Sequence, residues 1–283
     1  MINILVTGGN GQLATSIKDV SKDYDQLQYI YTDSEDLDIT NQQHVADFFQ
    51  NNNIDWCINC AAYTAVDKAE SDVDLARKVN KDGAKHLAMA CKANNVKLIH
   101  VSTDFVFDGK SSALYSENDS AQPLGIYGLT KLEGEQAIQK SLEAYFILRT
   151  SWLYSEHANN FMKTMLRLAE SRPELNVVAD QIGTPTYATD LAGVMVKIIN
   201  DNSTNYGLYH YSNEGVASWY DFAHAIFEIA NTNTKVFPIK TEAYPTPAAR
   251  PQFSVMDKSK IKEALKIDIP HWRESLKQAI KNL

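Results

Sequence analysis

The chain has 283 residues, of which 44% are hydrophobic and 22% charged, and its formal net charge is −8. This length allows one large domain or two modest ones, and an acidic balance without a long basic run argues against a nucleic-acid-binding surface. The most apolar stretches, such as Met1 to Val6 and Val96 to Val101, are too short to cross a bilayer. Because the N-terminus also lacks a charged lead into a long apolar core, we expect a cytoplasmic protein with no membrane partner.

The first half of the chain alternates short apolar runs with amphipathic ones. Strands are predicted at residues 2–6, 27–32, 55–60, 97–102 and 145–149, and helices at residues 12–20, 45–50, 75–94 and 129–142. Alternation of this kind is typical of strand–helix–strand units. It therefore predicts an α/β fold of the Rossmann type, a doubly wound parallel sheet with helices on both faces.

After Trp152 the alternation loosens. The patterns predict a helix at 160–172, a strand at 176–179, a helix at 190–199, then short strands, a helix at 218–230, a proline-rich stretch at 244–251 and a final helix. We expect residues 1–151 to form a dinucleotide-binding domain, to whose sheet residues 172–200 return. Residues 152–171 and 201–283 are expected to form mainly a smaller substrate-binding lobe.

A glycine-rich loop joins the first strand to the first helix. Gly8 and Gly11 allow a tight turn and a close approach of the backbone to phosphate groups, and the helix N-terminus offers free N–H groups. Such a loop predicts a pyrophosphate site, although a glycine-rich turn after a strand can be only a turn. Asp33, about 20 residues further on, is placed to accept a hydrogen bond from a ribose hydroxyl, which favours NADH. Because Asp33 belongs to an acidic patch of the kind that is often merely solvated, NADPH stays open.

Tyr127 is followed four residues later by Lys131, so both side chains lie on one helical face. A phenol has a pKa of about 10, and a neighbouring ammonium is expected to lower it and make the phenol a better proton donor. Chance supplies roughly one Tyr-x-x-x-Lys in a chain of this composition. The pair therefore gains weight only from the strand that ends near Thr103 and from the glycine loop.

The cysteines and histidines of the sequence do not indicate a disulfide framework or a metal site. Cys57, Cys60 and Cys91 form no disulfide framework, and strand alternation sends the first two to opposite faces. The histidines have no ligand spacing, so no zinc site is expected.

Several segments together resemble the extended branch of the short-chain dehydrogenase/reductase superfamily and, within it, the dTDP-4-dehydrorhamnose reductase family. They follow the family's order over nearly the whole chain. These segments are residues 11–13, 59–70, 102–109, 127–131, 149–152, 159–161 and 244–251.

The resemblance implies reduction of the C4 ketone of dTDP-4-dehydro-L-rhamnose by NADPH or NADH. Tyr127 would donate the proton, Lys131 would hold the nicotinamide ribose and lower the phenol pKa, and Thr103 would hydrogen-bond the ketone oxygen. The implied substrate contacts are Thr103, Asp104, Trp152 and, at the diphosphate, Arg250. The expected cofactor contacts are Gly8, Gly11, Gln12, Leu13, Asp33, Asp38, Ile39, Ala62, Tyr63, Thr64, Tyr127 and Lys131.

Some residues depart from the family pattern, and others could have a purely structural role. Ala14 replaces a third glycine of the loop, and Ser16 and about Thr189 stand where some members carry glutamates for magnesium. We therefore expect no metal, and either a monomer or a homodimer. Trp152 is also compatible with a core position, Arg250 with a surface ion pair, and Thr103 with a strand-end cap.

Two other functions remain open. One is another nucleotide-sugar reductase, epimerase or dehydratase on the same fold. Dehydratases of this group resemble one another in an Asp-Glu pair after the threonine, whereas Asp104 here leads into Phe105. The other is a non-catalytic regulatory subunit, similar to the regulatory β-subunit of methionine adenosyltransferase, against which the intact Thr103, Tyr127 and Lys131 argue.

Overall fold

A six-stranded parallel sheet forms the centre of the protein, in a computed structural model that describes all 283 residues. Its strands are β1 (Ile2–Thr7), β2 (Leu27–Thr32), β3 (Trp56–Asn59), β4 (Lys97–Thr103), β5 (Tyr145–Thr150) and β10 (Gly207–His210). Their order across the sheet is β10-β5-β4-β3-β1-β2, and every neighbouring pair is parallel. The doubly wound α/β prediction is confirmed. The direction of winding reverses between β1 and β3, where such sheets form their ligand crevice.

Helices cover both faces of this sheet. The helices are α1 (Gln12–Val20), α2 (Gln42–Asn51), α3 (Val66–Ala69), α4 (Val73–Arg77), α5 (Ala84–Ala93), α6 (Ile126–Ser141), α7 (Phe161–Ala169), α8 (Ala188–Asn200), α9 (Trp219–Ile229), α10 (Ser259–Leu265) and α11 (Trp272–Lys281). One core cluster joins one face of the sheet to α1, α8 and α10, and a second joins the other face to α2, α5 and α6. The strands are buried on both faces, which explains their nearly continuous apolar sequences.

A third core cluster builds a separate lobe from α7, α9 and α11. Short strands complete this lobe and its border with the sheet: β6 (Leu153–Tyr154), β7 (Glu174–Val178), β8 (Ile182–Gly183), β9 (Thr186–Tyr187), β11 (Ala217–Ser218) and β12 (Lys235–Ile239). They pair as β6 with β9, β7 with β12 and β8 with β11.

The contacts differ at two points from the expected division of the chain. Within residues 172–200, α8 packs on the sheet through α1, but β7 pairs with β12 in the lobe. Within residues 201–283, β10 is the edge strand of the main sheet and α10 packs beside it. Apolar runs this short carry no signal of which sheet they join, because pairing is set by contacts far away in sequence.

The long helix predicted at residues 75–94 contains an irregular turn. Residues Lys78–Gly83 form a wider, π-helical segment between α4 and α5. The segment presses the Asn80 carbonyl against α6, where a Cβ on Gly134 would lie 2.3 Å from the Asn80 oxygen. A single π turn inside a helix often marks a functional position, and this one places the Asn80 side chain beside the loop that follows β3.

Candidate active site

A cavity of about 1040 Å³ lies at the carboxyl ends of β1, β3, β4 and β5. The parallel register aligns these ends, with Thr7 beside Asn59 and Thr103 beside Thr150. The cavity is large enough for a dinucleotide together with a small partner molecule, since pockets for drug-sized ligands measure roughly 300–1,000 Å³.

The glycine loop forms part of the wall of this cavity. Gly8 has φ +68°, and a Cβ there would lie 2.8 Å from the Ala61 nitrogen, so no other residue fits. Gly11 caps α1 without a side-chain hydrogen bond. The backbone N–H groups of Gln12, Leu13 and Ala14 therefore have no acceptor within the protein. With the positive end of the helix dipole they form an anion site that suits a pyrophosphate.

Gln12 also ties the glycine loop to the segment after β5. Its amide nitrogen donates to the Leu153 carbonyl over 3.3 Å, and its amide oxygen accepts from Ser155 over 3.2 Å. The side chain that the resemblance assigns to the pyrophosphate thus has a second role as a bridge between sheet and lobe.

Asp33, Asp38 and Ile39 line the cavity next to the glycine loop. Asp33 accepts hydrogen bonds from the backbone N–H groups of Glu35 and Asp36, and these, with Asn10, lower its pKa. The Asn10 amide reaches the second Asp33 oxygen over 2.7 Å. Asp33 is therefore an ionised acceptor at neutral pH, as the ribose prediction requires.

Asn80 is a site residue that the sequence analysis missed. Its amide oxygen accepts from the Tyr63 N–H over 2.8 Å, and its amide nitrogen donates to the Tyr63 carbonyl and to the Thr130 hydroxyl. Both polar groups of the Tyr63 backbone are thus fixed, and the loop that carries Ala62 and Thr64 into the cavity wall is fixed with them. No sequence motif indicates that Asn80 fixes the Tyr63 backbone, because the position of Asn80 depends on the π-helical segment.

Thr103 and Asp104 lie where β4 enters the cavity, and both are buried. The Thr103 hydroxyl donates to Asp104 Oδ1 over 3.1 Å and accepts from the Phe105 N–H. Asp104 Oδ2 makes no hydrogen bond of ordinary geometry in the protein. Burial raises the pKa of this carboxyl to about 6, and the nearby Ser254 and Thr103 side chains oppose the shift only in part. Since unpaired buried oxygens are costly, this atom is suited to a substrate hydroxyl. Thr103 also caps the following turn, so the capping interpretation is correct and compatible with a site role.

Tyr127 and Lys131 lie on one face of α6 and both line the cavity. The Lys131 ammonium donates to the Val101 carbonyl over 2.7 Å and lies 3.5 Å from His100 Nε2. Burial lowers the pKa of Lys131 to about 8, while the charge of Glu135 opposes this shift.

The expected lowering of the Tyr127 pKa is wrong for this structure. Burial raises the pKa of Tyr127 to about 12, and hydrogen bonding with Thr103 offsets this only in part. Lys131 points its ammonium at the Val101 carbonyl, so spacing on the helix correctly predicted a shared face but not the direction of the ammonium. The phenol is consequently protonated at neutral pH, which is the state that a proton donor needs.

Two predicted site residues do not line the cavity. The Tyr63 side chain turns away and donates to Asp72 over 2.9 Å. Arg250 binds Asp67 end-on, with Nη1 to Oδ1 at 3.0 Å and Nη2 to Oδ2 at 2.8 Å. All other predicted site residues line the cavity, including Trp152.

The cavity wall includes further residues that the sequence analysis did not single out as contacts. Asn10 and Ser34 are sequence neighbours of predicted site residues, so the same motifs could have indicated them. Lys78 and Asn159 line the cavity only because of tertiary packing. The full additional set is Asn10, Ala14, Ser34, Leu37, Thr40, Cys60, Ala61, Val66, Leu75, Lys78, Val79, Val101, Ser102, Phe105, Thr150, Ser151, Leu153, Ala158 and Asn159.

The structure groups no three acidic, cysteine or histidine residues as a metal site, and no helix is long and apolar enough to span a membrane. Ser16, which stands at an expected magnesium position, is buried and donates to the Gln12 carbonyl. The expectation of no metal stays a prediction.

Comparisons with known proteins agree on one family. Residues 2–283 match the family model described as the RmlD substrate binding domain. The dTDP-4-dehydrorhamnose reductase of Aggregatibacter actinomycetemcomitans is 43% identical over 98% of both chains. A crystal structure of a Clostridium acetobutylicum dTDP-4-dehydrorhamnose reductase is 43% identical with a TM-score of 0.96 over 99% of both chains. That of Bacillus anthracis, determined in complex with NADP, is 40% identical with a TM-score of 0.95 over 100% of both chains.

Proposed function

The chain belongs to the RmlD substrate binding domain family, and from this membership we propose that it reduces the C4 ketone of dTDP-4-dehydro-L-rhamnose to give dTDP-L-rhamnose. It is an NAD(P)H-dependent oxidoreductase, and the glycine loop fits such a cofactor because three backbone N–H groups at the start of α1 lack acceptors. One observation carries the proposal. Thr103, Tyr127 and Lys131 line the same cavity as that anion site.

The residues around the ketone divide the work of proton transfer and orientation. A nicotinamide cofactor supplies the hydride when bound. We assign Tyr127 as the proton donor to the ketone oxygen, since its raised pKa keeps the phenol protonated at neutral pH. Thr103 is assigned a hydrogen bond to the same oxygen, which fixes its direction as negative charge develops.

Lys131 is proposed to bind the nicotinamide ribose, since it lines the cavity. The Val101 carbonyl holds the ammonium in place, and its remaining donors are free to bind hydroxyl groups. We assign these donors to hydroxyl groups of the nicotinamide ribose, as the resemblance implies. Loss of the positive charge would weaken these charge-assisted hydrogen bonds and the placement of the nicotinamide.

This role predicts a pH dependence of turnover. Lys131 carries its charge below a pKa of about 8 and loses it above, so kcat for reduction is expected to fall as pH rises through about 8. Tyr127 stays protonated over this range, because its pKa is about 12. The check is kcat under saturating substrates from pH 6 to 10.

Lys131→Arg is the matched control, because a guanidinium stays protonated throughout that range. Its kcat is expected to be lower but flat between pH 7 and 10. A wild-type profile that is also flat to pH 10 would remove Lys131 from this role.

Arg250 is proposed to bind the substrate diphosphate although it lies outside the cavity wall. Its contacts to Asp67 use Nη1 and Nη2, and Nη1 also donates to Thr246 and to the Ala248 carbonyl. The Nε–H and the second Nη2–H have no acceptor in the protein, so one edge of the guanidinium is free. Asp67 thereby orients Arg250 for a two-point contact with phosphate oxygens.

Arg250→Gln is expected to raise KM for the sugar nucleotide about tenfold or more, with KM for the cofactor within about twofold of wild type. A tenfold rise in KM corresponds to the loss of one charge-assisted hydrogen bond to the substrate. Steady-state kinetics with each substrate varied in turn makes the measurement. Arg273→Gln on α11, which removes an exposed ion pair with Glu228 on α9, is the control and should leave both values unchanged. Equal changes in both KM values would argue for a purely structural Arg250.

The overall function is tested by the absorbance of the reduced nicotinamide. Purified protein should consume NADPH or NADH in the presence of dTDP-4-dehydro-L-rhamnose and form dTDP-L-rhamnose in equal amount. An epimerase or dehydratase would change the sugar without net consumption of cofactor. A non-catalytic regulatory subunit would do neither, and the presence of Thr103, Tyr127 and Lys131 in one cavity gives that alternative no support.

Cofactor preference, quaternary structure and location remain predictions. Ionised Asp33 accepts ribose hydroxyls, which favours NADH, whereas the Bacillus anthracis relative was crystallised with NADP. We propose a cytoplasmic enzyme that works as a monomer or a homodimer.

A further inference from the structure

Trp152 has an unusual backbone for a bulky residue. Its φ is +47°, in the left-handed region that side chains other than glycine rarely adopt. Such a conformation persists only where the surrounding structure holds it, and it is often found at functional sites. Trp152 lines the cavity directly after β5, so the wall of the proposed sugar subsite contains this constrained residue.

Two neighbours contact the Trp152 indole. The Trp219 ring stacks on it with the ring centroids 3.6 Å apart and the planes 9° from parallel. Gly183 also lies against the indole, because a Cβ there would be only 2.6 Å from the indole Cε2 and 2.9 Å from its Nε1. No larger residue fits at that position while the indole stays where it is.

Trp219 is itself firmly supported. It is the first residue of α9, whose start is fixed by a capping box between Ser218 and Asp221. Its far side contacts Phe161, with ring centroids 4.7 Å apart. Trp219 does not line the cavity, so any effect on the site must pass through Trp152.

The backbone on either side of Trp152 is also fixed. The Trp152 carbonyl accepts from the Thr186 N–H over 3.1 Å, and the Ser151 hydroxyl donates to the Thr184 carbonyl over 2.7 Å. These two hydrogen bonds hold the chain, but they do not determine the side-chain orientation. The orientation of the indole is determined by its stack on Trp219 and by the absence of a side chain at Gly183.

We propose that Trp219 and Gly183 are positioning residues that hold the Trp152 indole as a preformed wall of the sugar subsite. This inference rests on the proposed function, since it takes the ligand of that wall to be the hexose ring. A wall fixed before binding costs no ordering when the sugar arrives, so it improves sugar binding without affecting the cofactor. The effect of disturbing it is therefore confined to the sugar nucleotide.

The test compares Trp219→Leu with Trp272→Leu. Trp272 belongs to the same core cluster as Trp219, and the same Trp-to-Leu change can be made there. It does not line the cavity or stack on Trp152. Trp219→Leu is expected to raise KM for the sugar nucleotide about tenfold and to leave KM for the cofactor within about twofold. Trp272→Leu is expected to lower the melting temperature without changing either KM. Trp219→Phe, which keeps a stacking ring, should recover most of the loss.

Gly183→Ala supplies a second route that leaves Trp219 intact. Its added methyl group should displace the indole and raise KM for the sugar nucleotide to a similar extent. Loss of the stack is followed by far-UV circular dichroism, because two closely stacked indoles give a coupled signal that Trp219→Leu removes.

The outcomes separate the two proposals. Wild-type protein without reductase activity would overturn the proposed function. Active wild type together with an unchanged sugar-nucleotide KM in both Trp219→Leu and Gly183→Ala would overturn the positioning role alone. If Trp219→Leu does not fold, Trp219→Phe and Gly183→Ala decide the matter, and unchanged sugar-nucleotide KM in Gly183→Ala would count against the proposal.

Discussion

Replacing Tyr127 with Phe is expected to lower kcat by at least about 100-fold, the usual size of a general-acid contribution. The change removes one hydroxyl from a residue in the cavity wall and keeps the ring, which contacts Phe105 edge-on at 5.6 Å between centroids. Because the hydroxyl is not part of the anion site at the start of α1, the Kd of the reduced cofactor should change little. Stopped-flow measurement of single turnovers, with the cofactor Kd from fluorescence titration, separates the two effects.

Tyr209→Phe is a suitable control for that measurement. Its hydroxyl also makes a hydrogen bond, to the Asn205 carbonyl over 2.6 Å, but it lies at the edge strand β10 away from the cavity. The control should keep wild-type turnover. A Tyr127→Phe enzyme with near-normal kcat would refute the assignment of Tyr127 as the acid.

The largest expected effect on stability comes from Arg149 on β5. Its side chain and that of Glu135 on α6 are 4% and 1% exposed, and the two form two hydrogen bonds, Nε to Oε1 at 2.9 Å and Nη2 to Oε2 at 2.6 Å. The Ser102 hydroxyl donates to the same carboxylate. Arg149→Leu leaves a carboxylate buried without its partner, which is expected to cost about 3–5 kcal/mol of unfolding free energy. Urea denaturation followed by circular dichroism gives the value.

The double variant Arg149→Leu with Glu135→Leu tests the reason for that loss. Replacing both members of a buried ion pair by apolar residues is often neutral or better. The double variant should therefore be more stable than Arg149→Leu alone. If both variants lose the same amount, packing of the Arg149 side chain over the Phe107 ring is the main contribution, and the ion pair is not.

The sequence predicted the sheet and its glycine loop because these depend on local signals. Buried parallel strands are continuous apolar runs, and the loop needs glycine at Gly8, where φ is +68°. The same holds for the shared face of Tyr127 and Lys131, which follows from helical spacing alone. These features can be derived from neighbouring residues without knowledge of the rest of the fold.

What the sequence did not predict depends on distant contacts. The pKa of Tyr127 is set by burial beneath other segments, and the Lys131 ammonium turns to a carbonyl on β4 that no spacing rule identifies. Asn80 reaches Tyr63 only because the helix widens at residues 78–83. The partner of Arg250 lies 183 residues away in the sequence. In each case the deciding group is brought in by tertiary structure.

The hydrogen bonds of Asp33 and of Asn80 belong to separate sets. Asp33 is held by Asn10 and by the N–H groups that follow it, whereas Asn80 fixes the Tyr63 backbone from the π-helical segment and donates to Thr130 on α6. Substitutions near residue 33 are consequently expected to change the choice between two dinucleotides without disturbing the Asn80 hydrogen bonds. Coenzyme selectivity can therefore evolve, or be engineered, through a few residues near Asp33, independently of the residues around Asn80.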